Sequence, residues 1–184
     1  MIWKPSPLAI LGLAIMSAPI IAHAKIYVSV EQAQKILLPN KTLTKNPIII
    51  TDDLQDKMRA ASSIRYPFQG ERIWKAADGS WLVIDEVIGK HEMITYAVAL
   101  SPTGSVLGIE ILEYVESYGY EVADPQWRKQ FIGKTVGDPI KLNLDIQNIG
   151  GATLSCKHIT DGVKRVTTLY DLALKNSSKT SPSK

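Results

Sequence analysis

Arg72-Ile73-Trp74-Lys75-Ala76-Ala77-Asp78-Gly79-Ser80-Trp81-Leu82-Val83-Ile84-Asp85-Glu86-Val87-Ile88 decides how this chain folds. Two runs rich in β-branched and aromatic residues flank Asp78-Gly79, and an Asp-Gly pair supplies the positive φ that a tight hairpin needs. The stretch therefore predicts a strand over 72–77 and its antiparallel partner over 81–88. Gly89-Lys90-His91 turns the chain again, and 92–100 reads as a third strand, with Ile94, Tyr96 and Val98 alternating. Ser101-Pro102-Thr103-Gly104 is a further turn, and 106–114 a fourth strand. Strands of this length joined by tight turns form a meander, which can offer one face to a covering helix.

Upstream, Ser29-Val30-Glu31-Gln32 has the form of a capping box and opens a helix over 29–38, ended by Pro39-Asn40. Pro47-Ile48-Ile49-Ile50 reads as a short strand. Thr51-Asp52-Asp53 places a cap and two acids at the start of a helix over 52–62. Downstream, Asp124-Pro125 starts a helix that Gly133 ends, with Trp127 and Phe131 as core residues. A last strand is expected over 141–146. The stretch 157–174 reads as one amphipathic helix, with Ile159, Val163, Val166, Leu169, Tyr170 and Leu172 roughly on one side. The expected fold class is α+β: a single domain over 25–175, built as an antiparallel meander sheet flanked by helices.

The 184 residues suit one domain, and 45% hydrophobic residues are enough for a core. The net charge is only +3 and basic residues do not cluster, so a dedicated nucleic-acid surface is not expected. Residues 1–24 have the layout of an export signal: Lys4 first, an apolar run over 8–21, then Ala22-His23-Ala24. The apolar run is short for a membrane span, so a cleaved, periplasmic protein is expected, with an uncleaved anchor as the alternative. The polar stretch 176–184 reads as a disordered tail. The single cysteine, Cys156, has no partner for an internal disulfide and reads as a small buried residue.

Chemistry concentrates in Ile149-Gly150-Gly151-Ala152-Thr153-Leu154-Ser155-Cys156. Small residues strip the backbone ahead of a helix, so Thr153 meets free N–H groups and the positive end of the helix dipole, a setting that suits phosphate. The plain alternative is an ordinary loop with Thr153 or Ser155 as N-cap. His91 reads as a hairpin-turn residue, and Asp85, Glu86, His91 and Glu92 form no defensible metal spacing. Ser155, His158 and Asp161 share a helix side but cannot converge on one reacting atom.

Three blocks resemble the FMN-binding domain family, which includes stand-alone periplasmic flavoproteins and subunits C and G of sodium-pumping quinone reductase and Rnf complexes. They are the hairpin around His91, the loop Glu113 to Val122, and Gln147-Asn148-Ile149-Gly150-Gly151-Ala152-Thr153, and they follow the family's order. The family signature, Asp-x-x-Ser/Thr-Gly-Ala-Thr, ends in a threonine that carries FMN through a phosphoester. Gly151, Ala152, Thr153, Leu154 and Ser155 fit it; Gln147 and Gly150 depart from it. The larger relatives' Glu-Thr-Pro-Gly-x-Gly loop implies that Glu116, Ser117 and Gly119 face the flavin, with Tyr118 in place of proline. Tyr118 or Tyr120 would then lie against the ring, where an unaided reading makes both packing aromatics.

The resemblance implies a secreted electron-transfer flavoprotein with FMN linked to Thr153. A flavin transferase would mature it, and a membrane or periplasmic redox protein would exchange electrons with it. Two rivals stand: a flavin-free binding or scaffold module of the same fold, and a non-covalent FMN reductase. No catalytic residues and no metal site are expected.

Overall fold

A computed structural model of the chain describes residues 25–115 and 118–177. Residues 1–24, where an export signal is expected, Glu116, Ser117 and 178–184 lie outside the described residues. The chain forms six strands: β1 (Lys25–Ile26), β2 (Leu43–Lys45), β3 (Ile73–Ala76), β4 (Trp81–Ile88), β5 (Met93–Leu100) and β6 (Val106–Tyr114). Its main helices are α1 (Val30–Leu37), α2 (Asp52–Ser62), α3 (Pro125–Arg128) and α4 (Thr153–Leu169). The strands make one antiparallel sheet in the order β1-β6-β5-β4-β3-β2. The expected meander is its centre, and the fold class is α+β as read from the sequence.

Alternation along the strands feeds two cores, because successive side chains point to opposite faces. Trp81, Val83 and Val87 of β4 join Ile159, Val163 and Val166 of α4 and Met58 of α2 on one face. Leu82 and Ile84 join Ala97, Ala99 and Leu112 beneath Ala33 of α1 on the other. The sheet is thus covered on both faces rather than one. α1 carries the full capping box: Gln32 N–H donates to Ser29 Oγ at 3.2 Å, and Ser29 N–H to Gln32 Oε1 at 2.9 Å.

Three expected elements are corrected, and one strand is new. Residues 47–50 are not a strand; β2 lies earlier, and Asn46 and Ile48 make isolated backbone bonds to Ile73 and Gly70. The register that sets Lys45 opposite Trp74 has slipped by Ile48, whose amide bonds Gly70, so no regular ladder forms over 47–50. Residues 141–146 are a turn instead of a strand. Lys141 O collects the amides of Leu144, Asp145 and Ile146, with Ile140 and Asn143 at φ 41° and 63°. The last helix starts at Thr153, not 157, and continues past Leu169 through a π-helical turn, Tyr170–Leu174, into a short helix α5 (Lys175–Ser177). It therefore enters the first two residues of the expected tail. β1 was not expected at all; it pairs Lys25 with Tyr114 and Ile26 with Glu113.

One polar cluster fastens α4 to the sheet. Arg165, fully buried, grips Asp85 of β4 through Nη2–Oδ1 at 2.7 Å and Nε–Oδ2 at 3.0 Å. Tyr96 donates its hydroxyl to Asp85 Oδ2 at 2.7 Å. Burial pushes the Asp85 carboxyl above the usual carboxylate range, against the pull of Arg165 and Tyr96. The cluster places α4, and so Thr153 at its first position, in a defined register over the sheet.

Candidate functional site: a cleft at the start of the last helix

The loop before α4 ends with Gly151 at φ 87° and Ala152 as N-cap. Ala152 has no side chain to cap the helix, and its carbonyl accepts the first intrahelical bond, from Cys156 N–H at 2.9 Å. Neither Thr153 nor Ser155 is the cap. The amides of the first turn, which have no intrahelical acceptor, are left without a side-chain cap. Thr153 is exposed at the first helical position, and Asn148 Nδ2 donates to its Oγ1 at 2.9 Å.

Ser155 points the other way. It is buried, and its Oγ lies 2.9 Å from the Tyr114 hydroxyl at the end of β6. Tyr114 in turn donates to the carbonyl of Tyr118. A Cβ added at Gly119, which has φ 90°, would stand 2.5 Å from Ser155 Oγ and 2.6 Å from Tyr114 Oη. Only glycine lets the 118–119 loop come this close to α4. Tyr114 therefore joins two of the expected blocks. By sequence alone it reads only as the last residue of a strand.

The result is a cleft of about 240 Å³ lined by Lys90, Tyr118, Gly119, Gly151, Ala152, Thr153, Leu154 and Ser155. Six of the eight expected site residues line it. The other two, Glu116 and Ser117, fall outside the described residues. Tyr118, which lines the cleft, and Tyr120, which does not, are both exposed. Trp127 and Phe131 lie in the core, edge to face at 5.2 Å, and Trp127 Nε1 donates to Gln147 O at 2.7 Å, bracing the approach to the loop. A larger cleft of about 620 Å³ at the β2–β3 edge touches none of these residues. Another, of about 540 Å³, borders Thr153 from the side of α2 and the 139–143 turn.

Residues 89–168 match the FMN-binding domain. This stretch belongs to the FMN-binding domain family. No curated protein matches the chain. FMN is the cofactor, and the chain is a flavin-binding protein.

The residues present fit that group. Thr153 offers an exposed hydroxyl beside uncapped helix amides, which is where a phosphate is stabilised. Ideal Cβ positions at Gly150 and Gly151 meet no atom within 4 Å, so the loop leaves open space beside the hydroxyl. Bound there, FMN would supply the electron-transfer chemistry, which is the cofactor's own. The protein's part would be to hold the phosphate end and wall the ring.

Departures from the family signature have visible consequences. Gln147 is exposed; its amide donates to Gln130 Oε1 at 2.7 Å, so its backbone, not a carboxylate, ties the loop. Asp145 does not replace the missing acid. It accepts from Lys134 Nζ at 2.8 Å and from the amides of Lys141 and Ile140 at 2.7 and 3.1 Å. Asn148 is the side chain that reaches Thr153.

Other groups are accounted for locally. Cys156 is buried, and that burial raises its thiol pKa. His158 bonds Gly89 O, and Asp161 pairs with Lys157 at 2.6 Å, so neither serves Ser155. Among the described residues no group of three His, Cys, Asp or Glu could hold a metal ion. Nor is any described helix long and apolar enough to cross a membrane.

Proposed function

We propose that the chain is an exported electron-transfer flavoprotein whose FMN is joined to Thr153 by a phosphoester. One observation carries this reading: Thr153 stands exposed at the uncapped start of α4, on a cleft that also gathers Gly119 and Gly151. The threonine hydroxyl forms the ester. The first-turn amides and helix dipole stabilise the remaining phosphate charge. Asn148 orients the hydroxyl before attachment and takes the place of the acid that the family signature sets one residue earlier.

Attachment is the work of a flavin transferase, and electrons pass between the flavin and a membrane or periplasmic redox protein. The Ala22-His23-Ala24 site supports release into the periplasm. Tethering suits export, since a covalent bond prevents loss of the flavin in a dilute compartment.

The test is the intact mass of the secreted protein after co-expression with a flavin transferase, beside Thr153→Ala. The expected result is a gain of one FMN less one water in the wild type and none in the variant. A yellow protein whose flavin leaves on denaturation would replace this reading with the non-covalent one. A colourless protein without an adduct would leave a flavin-free module.

A further inference from the structure

His158 ties the turn between β4 and β5 to α4. His158 Nδ1 lies 3.0 Å from Gly89 O. A carbonyl oxygen only accepts, so Nδ1 is assigned the hydrogen. Within the turn, Gly89 N–H donates to Glu92 O at 2.7 Å. The next residue, Lys90, lines the cleft opposite in sequence to the loop it shares it with: Tyr118, Gly119 and the stretch 151–155. Among the described lining residues Lys90 alone carries a charge. It has no ion-pair partner among the described residues.

We propose, resting on the FMN reading of this cleft, that Lys90 is the cation facing the flavin ring and that His158 positions it by holding Gly89. The phosphate is negative in both oxidation states and is met by the first-turn amides of α4. The ring gains charge only on reduction: two electrons and one proton convert the neutral oxidised ring into a monoanion. Tyr118, Leu154, Ser155 and the small residues of the cleft offer no opposing charge. A nearby ammonium stabilises the charged form selectively, as it does for any neighbouring ionisable group. Lys90 therefore favours the reduced cofactor, and a residue acting through the Gly89 carbonyl changes how strongly.

The experiment is a redox titration of the full-length flavinylated protein with dithionite as the two-electron donor, itself oxidised to sulfite, against a reference dye. Lys90→Met is expected to weaken the preference for the reduced form about tenfold, which is a midpoint about 30 mV more negative for a two-electron couple. Lys90→Arg keeps the wild-type midpoint. His158→Phe moves it in the same direction as Lys90→Met, His158→Asn restores it, and Lys90→Met with His158→Phe shows no further shift, because the two act through one interaction. Raising the salt concentration shrinks the difference between wild type and Lys90→Met.

A Lys90→Met protein that loads FMN and keeps the wild-type midpoint overturns the proposal. Reduced loading with an unchanged midpoint also overturns it and assigns Lys90 to the phosphate. A wild-type protein without any flavin is a different failure, that of the FMN reading itself.

Discussion

The hydroxyl of Tyr114, the last residue of β6, lies 2.9 Å from that of Ser155 in the first turn of α4. This pair joins the end of the sheet to the start of the helix that carries Thr153. Through the Tyr118 carbonyl it also fixes the loop on the opposite wall. Tyr114→Phe keeps the ring and removes the bonds, leaving a buried Ser155 hydroxyl without this partner. The expected cost is about 1–2 kcal/mol. The fraction of protein carrying FMN, read by intact mass, is expected to fall while the fold persists by circular dichroism. Loading and melting temperature equal to wild type would show that the pair does not organise the cleft.

Gly119→Ala attacks the same junction from the other side. The new Cβ meets Ser155 Oγ at 2.5 Å and Tyr114 Oη at 2.6 Å, at a φ of 90° that alanine resists. Backbone strain alone costs about 1–2 kcal/mol, and the displaced hydroxyls add to it. Lower stability in denaturant and poorer flavin attachment are expected together. By contrast, Gly150→Ala meets open space and should leave stability within about 0.5 kcal/mol of wild type.

Gly162→Ala sets two effects against each other. Alanine in a helix interior gains about 1 kcal/mol over glycine. Here its Cβ would lie 2.2 Å from Tyr96 Oη, whose hydroxyl serves the buried Asp85. Overpacking costs about 1–3 kcal/mol, and disturbing a buried bond to a charged group about as much again. Crowding wins, so a net loss of about 2 kcal/mol is expected, seen as a melting point lower by about 4–8 °C. A stabilised variant would mean that α4 does not sit on Tyr96.

Asp145→Asn tests the turn that delivers the chain to the cleft. Burial pushes the Asp145 carboxyl up, but the Lys134 ammonium and the amides of Lys141 and Ile140 push it down by more, to below its ordinary 3.8. A carboxyl with a lowered folded pKa is more readily ionised in the folded chain. Its contribution to stability is complete above the ordinary carboxylate range and disappears as pH falls through the folded value. Asp145→Asn should therefore melt below wild type at neutral pH, by about 1–2 kcal/mol of stability, and the two curves should converge in acid. A gap that persists at low pH would point to packing rather than charge.

The sequence by itself determined the local geometry. Asp78-Gly79 and the alternation of 81–88, 92–100 and 106–114 produced the meander, because period-2 burial and a positive-φ turn are properties of neighbouring residues. Ser29, Thr51 and Asp124 cap helices as read, since a cap bond spans only two or three residues. Gly151-Ala152-Thr153 is legible in the same way as a small-residue approach to a helix start, while its reading as an attachment motif comes from the family resemblance. Tertiary structure decided everything whose partners lie far apart in sequence. The isolated bonds to Gly70 and Ile73 that replace a strand at 47–50, the edge pairing of β1 with β6, and the burial of both sheet faces all depend on distant elements. So do the cleft's decisive contacts: Tyr114 with Ser155 across 41 residues, and His158 with Gly89 across 69. No periodicity records such pairs, because a hydrogen bond between residues far apart in sequence is set by how the layers pack and not by spacing along the chain.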